Sequence, residues 1–192
     1  MNTPAHVSLS LLCLGRCDRA NTLTPLVIGS LLPDAPMFLF YGIEKVRGIP
    51  EEIIWGQSYF ADRWQNFFDI FNSFPLMLLG LALTTWGVSR WGQLLFGSMM
   101  IHGLGDLPLH HDDGHRHFFP FSNWRFASPV SYWDPDHHGL IVTALEMALM
   151  LGSWIFLWRA YDSRQGKITI SVVSVLYFAY MLPFAYYLLF IR

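Results

Sequence analysis

The chain has 192 residues, the size of a single domain. Hydrophobic residues make up 53% and charged residues 14%, where ordinary soluble domains carry about a quarter charged. With a formal net charge of −2, this balance excludes a disordered chain, a collagen-like chain and a basic nucleic-acid binder, so no nucleic-acid partner is expected.

A mean hydropathy of +0.35 fits a small integral membrane protein, and residues 1–192 are read as one all-α, polytopic helical membrane domain. Two cysteines, Cys13 and Cys17, cannot build a disulfide framework. The start lacks a basic n-region and a small-residue cleavage site, so no signal peptide is expected. Residues 7–14 are apolar but too short to span, and read as a short helix or re-entrant element packed on the rest. Residues 26–43 are long enough, but Pro33 and Pro36 bracket Asp34 and predict a broken helix around the acid. Residues 44–72 are polar and aromatic, with Trp55, Tyr59 and Trp64, and read as interfacial helices. Residues 74–89 form a short uncharged span, with Asn72 and Ser73 as its cap and Asp69 just before it. Residues 92–109 form a span that holds His102 and Asp106. Residues 110–138 are a long folded loop rich in aromatic residues. Residues 139–158, with Glu146, and the uncharged 168–191 complete four to five embedded helices.

Short basic loops set the expected orientation. Arg90 lies in one, and Arg159, Arg164 and Lys167 in another, with Trp86, Trp91, Trp154 and Trp158 beside them. The excess of positive charge on cytoplasmic loops puts both inside. Residues 44–72 and 110–138 then face the external, periplasmic side.

Seven of the eight histidines lie in residues 102–138. Imidazole and carboxylate together suit zinc, iron or manganese, and zinc is expected first. His102 and Asp106 are four residues apart, so on a helix they share a face, and His110 extends it by another turn. Ionisable groups inside an apolar segment are costly and mark a functional site by default. Glu146 lies eight residues after His138 on its helix, as His102 lies eight before His110, so both groups sit about 12 Å below the external surface. Primary metal ligands are expected to be His102, Asp106 and His110, completed or bridged by Asp34, Asp69 and Glu146. Asp112, Asp113 and His138 are candidates for general acid, base or ligand-orienting roles. Arg116 would hold an anionic group. His6, alone near the start, reads as the weakest candidate.

Asp34 in GSLLPDAP, His102 and Asp106 in HGLGD, and the early His6 resemble a bacterial family of inner-membrane metal-dependent hydrolases. The run LPLHHDDGHRHFFPFSNWRFASPVSYWDPDHHG, preceded by DIFNSFPL, is similar to a subgroup of small bacterial membrane proteins, some carrying a cobalamin-biosynthesis label. A fainter resemblance, carried by HGLGDLPLH, is to zinc-dependent phospholipases C and zinc nucleases. The last histidine comes two residues early, and Val142 stands where their later glutamate would follow His138.

These resemblances imply a metal-dependent hydrolase of the bacterial inner membrane, acting on a small-molecule or lipid-linked substrate, in particular a phosphoester. Two other readings stay open. His111, His115 and the His137–His138 pair look like the histidine boxes of membrane di-iron oxygenases. The histidine density also suits a metal or haem carrier.

Overall fold

The computed structural model describes residues 1–15 and 22–190, and every regular element among them is helical. Cys17 lies outside the described residues, and Cys13 is a free, exposed thiol. The helices are α1 (Thr3–Leu14), α2 (Leu23–Leu31), α3 (Ala35–Val46), α4 (Glu51–Ile53), α5 (Asp62–Asn72), α6 (Phe74–Trp86), α7 (Arg90–Asp106), α8 (Gly139–Ala160) and α9 (Arg164–Phe190).

Prolines and hydroxyls set the boundaries that matter for the site. Pro33 and Pro36 each lack an N–H, and the chain between α2 and α3 bends by 52° around Asp34. The expected broken helix is therefore present, with the acid at the break. Ser73 is the helix cap that the sequence predicts: its Oγ accepts the Leu76 N–H at 3.3 Å and starts α6. Ser89 does the same for α7 through the Gly92 N–H.

Three stretches are long and apolar enough to cross a membrane: Asp62–Trp86, Gly139–Ala160 and Arg164–Tyr187. The bent pair α2–α3 makes a fourth if counted as one span. The span expected at 74–89 thus begins earlier, because α5 leads into α6. α7 has 17 residues and is packed against α1, α2 and α6 inside the bundle.

α1 is the hub. It is too short to span, yet it packs on α2, α7, α8 and α9. Its Ala5, Val7 and Leu11 join Leu26, Leu94, Met150, Leu157, Ile170 and Tyr177 in the main core. The outer faces of the long helices stay apolar and exposed, as a lipid-facing surface would. Small residues bring the inner helices together. A β-carbon on Gly29 of α2 would fall within 2.8 Å of the Ser98 side chain on α7. Ser98 Oγ in turn donates to the Leu26 carbonyl at 2.7 Å and lies 2.8 Å from Ser10 Oγ of α1. This junction of α1, α2 and α7 lies one helical turn from His102. A second, aromatic core (Phe40, Ile54, Tyr59 and Phe68) joins α3 to α5, so residues 44–72 are largely helical, as expected.

Candidate metal centre

Four segments bring acids and imidazoles to one buried point. α7 supplies His102 and Asp106 on one face, with His102 Nε2 3.0 Å from Asp106 Oδ2. The α2–α3 break supplies Asp34, whose Oδ1 is 3.4 Å from the same Nε2. α1 supplies His6, with Nε2 3.0 Å from Asp106 Oδ1. The turn after α7 supplies His110, with Nε2 3.5 Å from Asp106 Oδ1. The Met1 amino group lies 2.6 Å from that oxygen. His6 and His102 are fully buried, and Asp34 and Asp106 are nearly so.

One nitrogen of His102 is accounted for. Nδ1 lies 2.7 Å from the Ser30 carbonyl, which can only accept, so Nδ1 carries the proton and donates. Nε2 is then left facing two carboxylates, and neither it nor His6 Nε2 makes a hydrogen bond of good geometry. A neutral ring would aim its lone pair at negative oxygens. Protonating both rings does not solve the problem, because they stack 3.5 Å apart and two imidazolium charges at that distance repel. A single proton on His102 Nε2, or a cation shared by the nitrogens and oxygens, relieves both conflicts. His6, His102 and Asp106 each offer a ligand atom, all within 4.8 Å of one another, and this buried group could hold a metal ion. A ring nitrogen tied to a backbone carbonyl is also the arrangement that orients metal-ligating histidines. Thr3 Oγ1 holds Asp34 in a similar way, donating to Oδ2 at 2.5 Å.

His110 joins this group to the loop. Its Nδ1 is 3.0 Å from Asp113 Oδ1, and Trp133 Nε1 donates to the other Asp113 oxygen at 2.9 Å. Burial opposes charge on His110, but the Asp106 and Asp113 carboxylates outweigh it and push the ring up to about 9. Burial acts against ionised Asp113 too, yet its hydrogen bonds from His110 and Trp133 hold it below the usual carboxylate range. Tyr132 lies against His110 with ring centres 5.2 Å apart. Burial, followed by the Asp106 and Asp113 charges, keeps its phenol protonated.

Asp69 has different company. It is wholly buried and accepts the Arg116 backbone N–H at 3.0 Å and a second bond from Arg116 Nε. His115 Nδ1 lies 3.5 Å from it, and Arg125 3.8 Å. The remaining donors of Arg116 go to Asn66 at 2.5 Å and Asn123 at 3.0 Å, so this guanidinium braces the loop on α5. His117 stacks on Phe74, and burial, reinforced by the neighbouring His115, pushes its pKa down to about 4.

Glu146 is placed on α1. Its Oε1 accepts from the Asn2 N–H at 3.2 Å and from Asn2 Nδ2 at 2.9 Å, while buried Tyr177 stands beside it. It therefore positions the helix that carries His6. Asp112 and His138 are exposed, and His138 takes a left-handed conformation (φ 64°) where α8 begins. His111 stacks on His137 at 3.6 Å, away from the centre, and His137 bonds Asp134 at 2.7 Å. An open groove at the α8–α9 turn, lined by Trp158, Asp162, Arg164 and Lys167, contains none of the centre's residues.

His102, Asp106 and Asp34 lie together as the sequence suggests, His110 stands 3.5 Å from Asp106 rather than within the group that could hold a metal, and the sequence undervalues His6. The signal for His6 is faint: a histidine within an apolar helix that is too short to span needs a polar partner. No family model, curated protein or solved structure matches the chain.

Proposed function

We propose that the protein is a membrane-bound metal-dependent hydrolase of the bacterial inner membrane, acting on a phosphoester or lipid-linked substrate. The observation that carries this reading is the buried convergence of His6, His102 and Asp106, with Asp34 alongside, on unsatisfied Nε2 atoms. His6, His102 and Asp106 hold the ion and Asp34 completes its charge balance. The donor set suits zinc, and also iron or manganese. When bound, such an ion supplies Lewis acidity toward water and the scissile group. His110 Nε2 faces the centre while Asp113 orients the ring from behind, so His110, protonated at neutral pH, gives a proton to the leaving group from that nitrogen. Tyr132 stays a proton donor beside it. The resemblance of HGLGDLPLH to zinc-dependent phospholipases and nucleases supports a phosphoester over other substrates.

Metal analysis of detergent-purified protein tests the reading, with wild type compared to a His102→Ala, Asp106→Ala double variant. Wild type is expected to hold metal in simple stoichiometry and the variant to lose it. Hydrolysis of a phosphodiester panel by wild type, abolished by chelation and restored by zinc, completes the test. Unchanged metal content in the double variant refutes the centre, and an intact centre inert toward every ester refutes the hydrolase.

A further inference from the structure

The loop that roofs the metal centre carries a cluster of aromatic rings turned away from the protein. Phe118, Phe121, Trp124 and Phe126 are 45%, 81%, 50% and 38% exposed. Phe118 and Phe126 each meet Trp124, with ring centres 5.8 and 6.1 Å apart. An exposed aromatic patch of this kind, with Phe121 on the same loop, marks an interaction surface.

The patch is fixed to a membrane helix. The Phe74 N–H donates to the His117 carbonyl at 2.8 Å, and Ser73 Oγ donates to the Phe119 carbonyl at 2.5 Å. Phe74 also meets Phe118 edge-on. The cluster therefore continues the outward face of α6, where Leu78, Leu79 and Leu83 are more than half or about half exposed. Trp86, 87% exposed, ends that face and suits one membrane boundary. From Phe74 to Trp86 the helix rises only about 18 Å. A bilayer core is about 30 Å thick, so about 12 Å of it remains beyond Phe74. The span continues there into α5, where Ile70 is exposed, and the aromatic loop is bonded to the junction of α5 and α6.

We propose that Phe118, Phe121, Trp124 and Phe126 insert into the polar–apolar boundary of the bilayer and anchor the roof of the centre in the lipid. The anchor works by aromatic area. The Arg125 guanidinium is engaged by Gln65 at 2.9 Å and by the Gly114 carbonyl, so anionic lipid is not required. The proposal goes beyond the hydrolase reading and does not depend on it.

Tryptophan quenching of the full chain in phosphatidylcholine vesicles tests it. Subtracting the emission of a Trp124→Phe variant isolates Trp124. Lipids brominated near the head of the acyl chain are expected to abolish this component, while aqueous iodide leaves it unchanged. Quenching by iodide with no response to brominated lipid overturns the proposal. Phe121→Asp, at a side chain almost free of protein contacts, is expected to make Trp124 accessible to iodide without unfolding the helices. An unchanged quenching pattern in that variant overturns the role of the cluster.

Discussion

Asp106 and Asp69 are both buried aspartates faced by histidine, and their surroundings give them opposite roles. Asp69 receives the Arg116 guanidinium and backbone, and Arg125 lies nearby, so the protein supplies its countercharge. Asp106 and Asp34 meet mainly imidazoles whose nitrogens lack good hydrogen bonds. A carboxylate neutralised by arginine ties segments together. Asp106 and Asp34 carry two negative charges against the single ammonium of Met1, so the stacked imidazoles beside them sit where a further positive charge is favoured.

The sharpest way to break this comparison is to remove one histidine from each region. His6→Ala is expected to weaken metal binding beyond the roughly 10–100-fold that loss of a merely supporting partner costs. His115→Ala, beside Asp69, is expected to leave it unchanged. Competition with a chelating dye measures both, and equal effects would erase the distinction. Asp69→Ala should do the reverse. It strands Arg116 against a buried site and is expected to cost about 3 kcal/mol of stability in detergent, the low end for a broken buried pair because Arg125 is a third exposed. Its metal stoichiometry should equal that of wild type.

Thr3→Val probes the support of the centre. Loss of the hydroxyl on Asp34 is expected to reduce metal affinity about 10-fold, within the range for such partners, and to leave the fold intact. A further expected effect concerns acid. The His117 pKa is lowered from 6.5 to about 4, so folding favours the neutral ring. Its contribution is fully present above pH 6.5 and is lost as the pH falls through 4. His117→Gln should flatten the stability profile of the metal-free protein across that window, and an unaltered profile would show that the ring is not held neutral.

The parts of this arrangement that were legible in the sequence are local ones. A four-residue spacing fixes His102 and Asp106 on one face whatever the rest of the chain does. Two prolines around Asp34 break a helix wherever it lies. Hydropathy and length find 139–158, 168–191 and the C-terminal part of Asp62–Trp86 because a bilayer imposes both, whereas the span expected at 92–109 is the 17-residue α7 and is not among those long enough to cross. Pairings between distant segments leave no such mark. Nothing local in Glu146 says that Asn2 will take it, or in Asp69 that Arg116 will. His6 has no periodic partner within its own helix, so only the packing of α1 into the bundle reveals its place. The apolar character of that helix explains why it packs there, and its shortness explains why its polar end stops level with Asp34 and Asp106.

The serine junction next to the centre bears on which side of the centre is open. Ser98, Ser10 and the Leu26 carbonyl lock three helices at hydrogen-bonding distance, with Gly29 leaving no clearance between α2 and α7. Walls knotted this closely cannot slide apart without stranding buried hydroxyls. In the proposed hydrolase, access to the centre would therefore run past the segment between α7 and α8, and movement of that segment would limit turnover.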